Sequence, residues 1–165
     1  MKYRILQDLM QFTVGKNVTR IRDQQIYTPE DFERDLHSMD GNTTACVINL
    51  INSKAAPLFS GTKCITSNFL RCAFDPDILD PWYFCYQFNV GMEQKINMLH
   101  QGTASVKKLN IKSVSELQIP FPDIMRQRQI GALYRKAMVQ KKLMILQAEN
   151  IEKMILEVLK KLEED

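Results

Sequence analysis

No two cysteines in this chain stand at a CxxC spacing, and the two histidines, His37 and His100, are isolated. Cys46, Cys64, Cys72 and Cys85 therefore offer neither a zinc-ligand pattern nor a dense disulfide framework. They read as reduced, mostly buried thiols in a cytoplasmic protein. No apolar run approaches the roughly 18–20 residues of a membrane span. The opening MKYRILQDLMQF lacks a signal-peptide h-region and a small-residue cleavage site. Only 6 glycines are present, with no GxxxxGK[ST] and no glycine-rich cofactor loop. Serine and cysteine have no evident His/Asp partners. The expectation is a non-enzyme with no catalytic residues, no metal and no cofactor.

Proline is absent after Pro122, and the only glycine beyond it is Gly131. From Asp123 to about Lys161, apolar residues recur at intervals of 3, 4 and 7 and define one helical stripe. Some 39 residues make a rod of roughly 58 Å. The 122 residues before it would form a domain only about 30 Å across. Much of the stripe must find a partner beyond its own domain, because a lone helix would leave that face wet.

The 122 residues that come first read as mixed α and β. Tyr3–Phe12 has helical apolar spacing at Ile5, Leu6, Leu9 and Met10. Thr28-Pro29-Glu30-Asp31 is a helix start, with Thr28 as N-cap, and that helix is predicted to run to about Met39. Asp40-Gly41-Asn42 is a turn. Ala45–Ile51, Lys63–Thr66 and Phe69–Ala73 fit strands. Asp80-Pro81-Trp82 opens a buried helix. On it Trp82, Tyr83, Phe84 and Tyr86 read as core packing rather than base stacking. Met92–His100 adds a helical turn or two, Gln101–Ser105 a loop, and Leu117–Ile119 a last strand. The fold class expected is α+β: a mixed domain over residues 1–122, then one long helix over 123–165.

Charge is segregated rather than large. Residues 1–125 hold 13 basic and 13 acidic groups, and residues 126–165 hold 9 and 6, which gives the whole net +3. No acid lies between Asp40 and Asp75 or between Glu93 and Glu116, while lysines and arginines do. Lys16, Arg20 and Arg22 form a third basic window. Such segregation suits one basic face against a phosphate-lined partner, or it merely solvates loops. On the long helix, residues 126–142 are basic with no acid, and residues 143–165 are net acidic. A parallel homodimer would stack like charges, whereas an antiparallel one sets each basic half against an acidic half.

The stretch GTASVKKLNIKSVSELQIPFPDIMRQRQI resembles the end of a target recognition domain in DNA-specificity (S) subunits of type I restriction–modification systems. Gly102-Thr103 matches the family's loop, and Asn110-Ile111 and Leu117 its helical segment. Ile119-Pro120-Phe121-Pro122 matches the Ile-Pro-x-Pro signature. Gln127 or Gln129, with Ile130, matches the start of the conserved helix. Upstream, ITSNFLRCAFDPDILDPWYFCYQFN also looks like the family's strand, loop and helix. This chain has Met125-Arg126 where the family often has an acidic residue before glutamine. Full S subunits carry two recognition domains and two antiparallel long helices, and this sequence contains one of each.

The resemblance implies a half-subunit that reads double-stranded DNA and directs separate methyltransferase (M) and restriction (R) subunits. DNA-contact candidates are Arg20, Arg22, Lys63, Ser67, Asn68, Arg71, Thr103, Ser105, Lys107 and Lys108. Candidates for an antiparallel homodimer interface are Ile130, Tyr134, Ala137, Met144, Ala148, Ile151, Ile155, Val158 and Leu162. The alternative is a scaffold module without a DNA role, whose long helix binds another protein. An enzyme of unrecognised type is the remaining class.

Overall fold

The first strand, β1 (Tyr3–Ile5), pairs antiparallel with the last, β6 (Gln118–Pro120), so the two ends of the globular part meet. The computed structural model describes residues 1–40, 42–59, 61–99 and 108–164. A second, antiparallel sheet has the order β2-β5-β3-β4, from Gln11–Val14, Phe69–Ala73, Ala45–Asn49 and Lys54–Pro57. The helices are α1 (Pro29–Leu36), α2 (Pro81–Tyr86), α3 (Glu93–Leu99), α4 (Ile111–Ser115) and α5 (Ile124–Glu164). The class is therefore α+β with a long terminal helix, as the pattern predicts. Among the described residues no helix is long and apolar enough to cross a membrane.

Local sequence accounts for several elements. Thr28 and Asp31 form a reciprocal capping box at the start of α1, with Pro29 in its first turn. That helix ends at Leu36, short of Met39, because the His37 N–H turns back to Asp35 O. Asp80 caps α2 by accepting from the Tyr83 N–H at 2.8 Å. All five residues of β3 are buried, the signature of a strand covered on both faces. The core gathers Leu6, Ile48, Leu70, Phe84, Phe88 and Ile119, all fully buried. Trp82, Tyr83 and Phe84 belong to it, and Tyr86 packs against it.

The structure departs from the sequence reading at four points. Tyr3–Phe12 is not a helix but β1, a 3-10 turn over Leu6–Asp8, and β2. The turn still buries Leu6 and Met10, so helical spacing is met without a helix, while pairing to β6 and β5 claims the flanks. Lys63–Thr66 is not a strand but carries two single bridges, Ile26↔Cys64 and Lys16↔Thr66. The strand β4 is an addition, since Lys54-Ala55-Ala56-Pro57 carries no β-branched or aromatic residue to signal it. Tyr134, a candidate for the pairing interface, packs in this chain's own core: its hydroxyl accepts from Asn89 Nδ2 at 2.9 Å, and its ring meets Trp82 and Tyr86 edge-on.

The root of α5 is clamped. Gln127 is fully buried; its Oε1 accepts from the Asp80 N–H at 3.0 Å, and its Nε2 donates to Pro122 O at 2.9 Å and Ile78 O at 3.3 Å. At Gly131 a Cβ would strike Asp80 Oδ1 and lie 2.8 Å from Tyr83 N, so only glycine lets α5 cross α2 this closely. A π turn over Gln87–Gly91 follows α2. It brings Asn89 onto β4, where its amide exchanges two bonds with the Ala55 backbone while also reaching Tyr134.

Candidate nucleic-acid interface

The register of β5 and the bridge to Lys16 gather several polar residues at one end of the four-stranded sheet. Ser67 N donates to Lys16 O at 3.0 Å, and Leu50 N donates to Asn68 O at 2.9 Å. Leu109 N donates to Leu50 O at 2.9 Å, which sets Lys108 beside the same turn. Gly15 permits the crossing, because a Cβ there would strike Thr66 O. Lys16, Asn68 and Lys108 are exposed and Ser67 is half-buried. Arg20 and Arg22 are exposed on the segment that leaves Lys16, in and just after a 3-10 turn over Val18–Arg20. Arg71 is exposed in the middle of β5, roughly 10 Å along the strand from Asn68. Thr103, Ser105 and Lys107, the Gly102-Thr103 loop, Gly41 and His100 lie outside the described residues.

Lys63 is committed elsewhere. Its Nζ donates to Asp31 Oδ1 at 2.7 Å, and Asp31 is buried. Burial by itself would raise the Asp31 carboxyl. The bonds from Lys63 and from the Thr28 backbone and hydroxyl overcome it and hold the group below its ordinary value. Asp35, one turn on, is also buried and is pushed up by that burial, although it accepts from Tyr27 OH at 2.7 Å and Phe59 N at 3.4 Å. Tyr27 is itself pushed up by burial and by its bond to Asp35. The lysine thus neutralises α1's first turn, and its free reach toward a phosphate is small.

Sequence reasoning missed a hollow of about 420 Å³ at the same sheet end, lined in part by Val18, Ile26, Asn49, Ile51, Thr66 and Asn68. Asn49 sits inside the apolar run ACVINLI and reads there as one polar residue of a buried strand. Its role at the strand's end becomes visible only once the turn after β3 is placed. Three of the four thiols are buried and Cys64 is half-buried: Cys46 Sγ lies 3.8 Å from Cys85 Sγ, and burial raises Cys46 and Cys72 well above the ordinary thiol range.

On α5, Met144, Ala148, Ile151, Ile155, Val158 and Leu162 are all exposed. They repeat at intervals of 4 and 3, the spacing of a helix-pairing seam. Ala137 is exposed as well. Ile130 is half-buried and packs on the chain's own core.

No family model matches the chain, and no curated protein matches it. Solved structures do. The type I restriction–modification S subunit from M. genitalium superposes with a TM-score of 0.59 at 16% identity, over 92% of this chain and 41% of that one. The HsdS subunit from Thermoanaerobacter tengcongensis gives 0.58 at 13%, over 90% and 39%. A chain solved in work on complex assembly and conformational transition of the type I R–M system gives 0.62 at 14%, over 92% and 41%. The chain spans about two fifths of the length of each. The globular part, its closing strand and the long helix together share the fold of part of these type I restriction–modification S subunits.

Proposed function

We propose that this chain is a sequence-specific DNA-recognition subunit of a type I restriction–modification complex, itself non-catalytic and cytoplasmic. The observation that carries the reading is the S-subunit fold over nine tenths of the chain, long helix included. Residues 1–122 form the target recognition domain and residues 123–165 the spacer and pairing helix. Double-stranded DNA meets the sheet end bearing Lys16, Ser67, Asn68 and Lys108, with Arg20, Arg22 and Arg71 as flanking cations; Thr103, Ser105 and Lys107, which precede Lys108 in the sequence, remain DNA-contact candidates. Polar side chains read base edges in the major groove, and the cations hold phosphates.

Two copies pair antiparallel through Ala137, Met144, Ala148, Ile151, Ile155, Val158 and Leu162. That arrangement restores the two-fold layout of paired recognition domains and sets basic half-helix against acidic half-helix. Methyltransferase and restriction subunits dock on this frame and supply the chemistry. With α5 at 1.5 Å rise per residue, the two domains lie roughly 40–60 Å apart. The duplex advances about 34 Å per turn, so the half-sites are inverted repeats centred about one to two turns apart.

Selection of bound sequences from a random duplex library tests this, with the titration repeated at two salt concentrations. An inverted bipartite motif and a steep salt slope are expected. A contiguous motif or a direct repeat contradicts the pairing. No enrichment and no salt slope favour a scaffold without a DNA role, whose bare helix binds another protein.

A further inference from the structure

The hollow beside Asn68 combines features that single out one kind of base edge. Asn49 is 8% exposed, at the end of β3. Its Oδ1 accepts from the backbone N–H of Ile51 at 3.0 Å and of Asn52 at 3.2 Å, which fixes the amide with that oxygen turned into the chain. Its Nδ2 makes no hydrogen bond to a described residue. Among the described residues no buried side-chain nitrogen lacks a partner, so this donor opens to solvent, where an acceptor from outside can meet it. Part of the wall is apolar: Val18 and Ile51 are 55% and 45% exposed, and Ile26 is half-buried, while Thr66 and Asn68 add polar groups to it.

We infer that this hollow reads the major-groove edge of a thymine, with the 5-methyl group against Val18, Ile26 and Ile51 and the O4 carbonyl on Asn49 Nδ2. Thymine alone among the four bases sets a methyl group beside an acceptor in the major groove. Cytosine brings an N4 amine, a donor, against the donor of Asn49, and it has no methyl. Purines have no methyl either. The assignment rests on the DNA-reading role proposed above. It adds a specificity determinant on the turn after β3, where Asn49, Leu50, Ile51 and Asn52 carry no charge. Lys16, bridged to Thr66 on the hollow's wall, and Arg20, two residues past Val18, stand where backbone phosphates would flank such a base.

The test uses the full chain and a duplex taken from the random-library selection. Each thymine of the selected motif is replaced in turn by deoxyuridine, which removes only the methyl. Each is then replaced by 5-methylcytosine paired with guanine, which keeps the methyl and reverses the hydrogen bond. One thymine per half-site should weaken binding about three- to tenfold as deoxyuridine, and 5-methylcytosine should not restore it. Ile51→Ala should erase the difference between thymine and deoxyuridine at that position. Asn49→Asp keeps the oxygen that caps the turn and exchanges the donor for an acceptor, so preference should move from thymine toward cytosine. If Asn49→Asp lowers the melting temperature, Ile51→Ala and Val18→Ala, on the exposed wall, carry the test. A motif in which every thymine tolerates deoxyuridine overturns the assignment and leaves DNA reading intact. A pool with no enriched motif overturns both.

Discussion

Gln127, Gly131 and Tyr134, on the first turns of α5, are buried, whereas Met144, Ile151, Ile155 and Leu162, further along, are 47–66% exposed. The two regions belong to one unbroken helix and are held by different forces. At the root, contacts are polar and saturated: Gln127 spans three backbone groups, and the Tyr134 hydroxyl meets Asn89. Such contacts fix direction, because each loses its partner if the helix rotates. Beyond the root the face is apolar and unsatisfied by this chain. It has no angular preference of its own and takes one from whatever covers it. The helix is therefore a strut fixed at one end, with a distal apolar face that the described residues leave uncovered.

Replacing Met144 and Ile151 with Asp strikes only the distal region. It places four charges in the paired seam. With leucine-sized side chains contributing about 1.5–3 kcal/mol each, association should weaken by at least about a thousandfold. The melting temperature of the isolated chain should not change. Sedimentation and calorimetry on the same sample check both halves of this statement. A fall in melting temperature without loss of association would erase the contrast between the two regions.

Gln127→Leu strikes only the root. It leaves Asp80 N, Ile78 O and Pro122 O unpaired and should cost about 3 kcal/mol of stability. Chemical denaturation measures it. The chain that remains folded should associate as the wild type does.

Lys63→Met lies away from α5 and sharpens the contrast through pH. The Asp31 carboxyl titrates below its ordinary value in the folded chain. Its contribution to stability is thus present above about pH 4 and lost as pH falls through the folded value. Removing Lys63 should cost about 1–2 kcal/mol at neutral pH, since the lysine is partly exposed. The cost should shrink in acid. Asp35 runs the other way: its raised carboxyl favours the fold when protonated, and that share is lost as pH rises through its folded value. Comparing variant and wild type cancels Asp35 and isolates Asp31. A penalty that is flat with pH would contradict the ion pair.

Arg20→Ala with Arg22→Ala should have the smallest effect on the protein itself, within about 0.5 kcal/mol of stability. Association should not change. The slope of log affinity against log salt should fall by about one for each phosphate that an arginine no longer holds. An unchanged slope removes that segment from the DNA face.

Elements written in local chemistry were legible in the sequence. Thr28, Pro29 and Asp31 determine the start of α1 among themselves, and α5 announces itself by unbroken periodicity. Elements defined by distant partners were not. Ile5, Leu6, Leu9 and Met10 have helical spacing, yet β1 exists because Gln118–Pro120 returns to pair with it. Lys54–Pro57 carries no strand-forming side chain and is a strand because β3 lies beside it. Tyr134 shows the limit of periodicity: a stripe reveals that a face is apolar, not what covers it. In the candidate interface, basic windows were visible from charge alone. Lys63 reads as an unpaired cation in the sequence because its acid, Asp31, lies 32 residues earlier in the chain. Asn49 was hidden because an asparagine in a hydrophobic run declares neither its fixed amide nor its free nitrogen.

Sedimentation of the wild-type chain at tens of micromolar asks most directly what covers the distal half of α5. Pairing through Met144–Leu162 predicts a species of about twice the 19.2 kDa chain mass, reverting to one chain when Met144 and Ile151 become Asp. A single 19.2 kDa species at that concentration would contradict the self-paired strut.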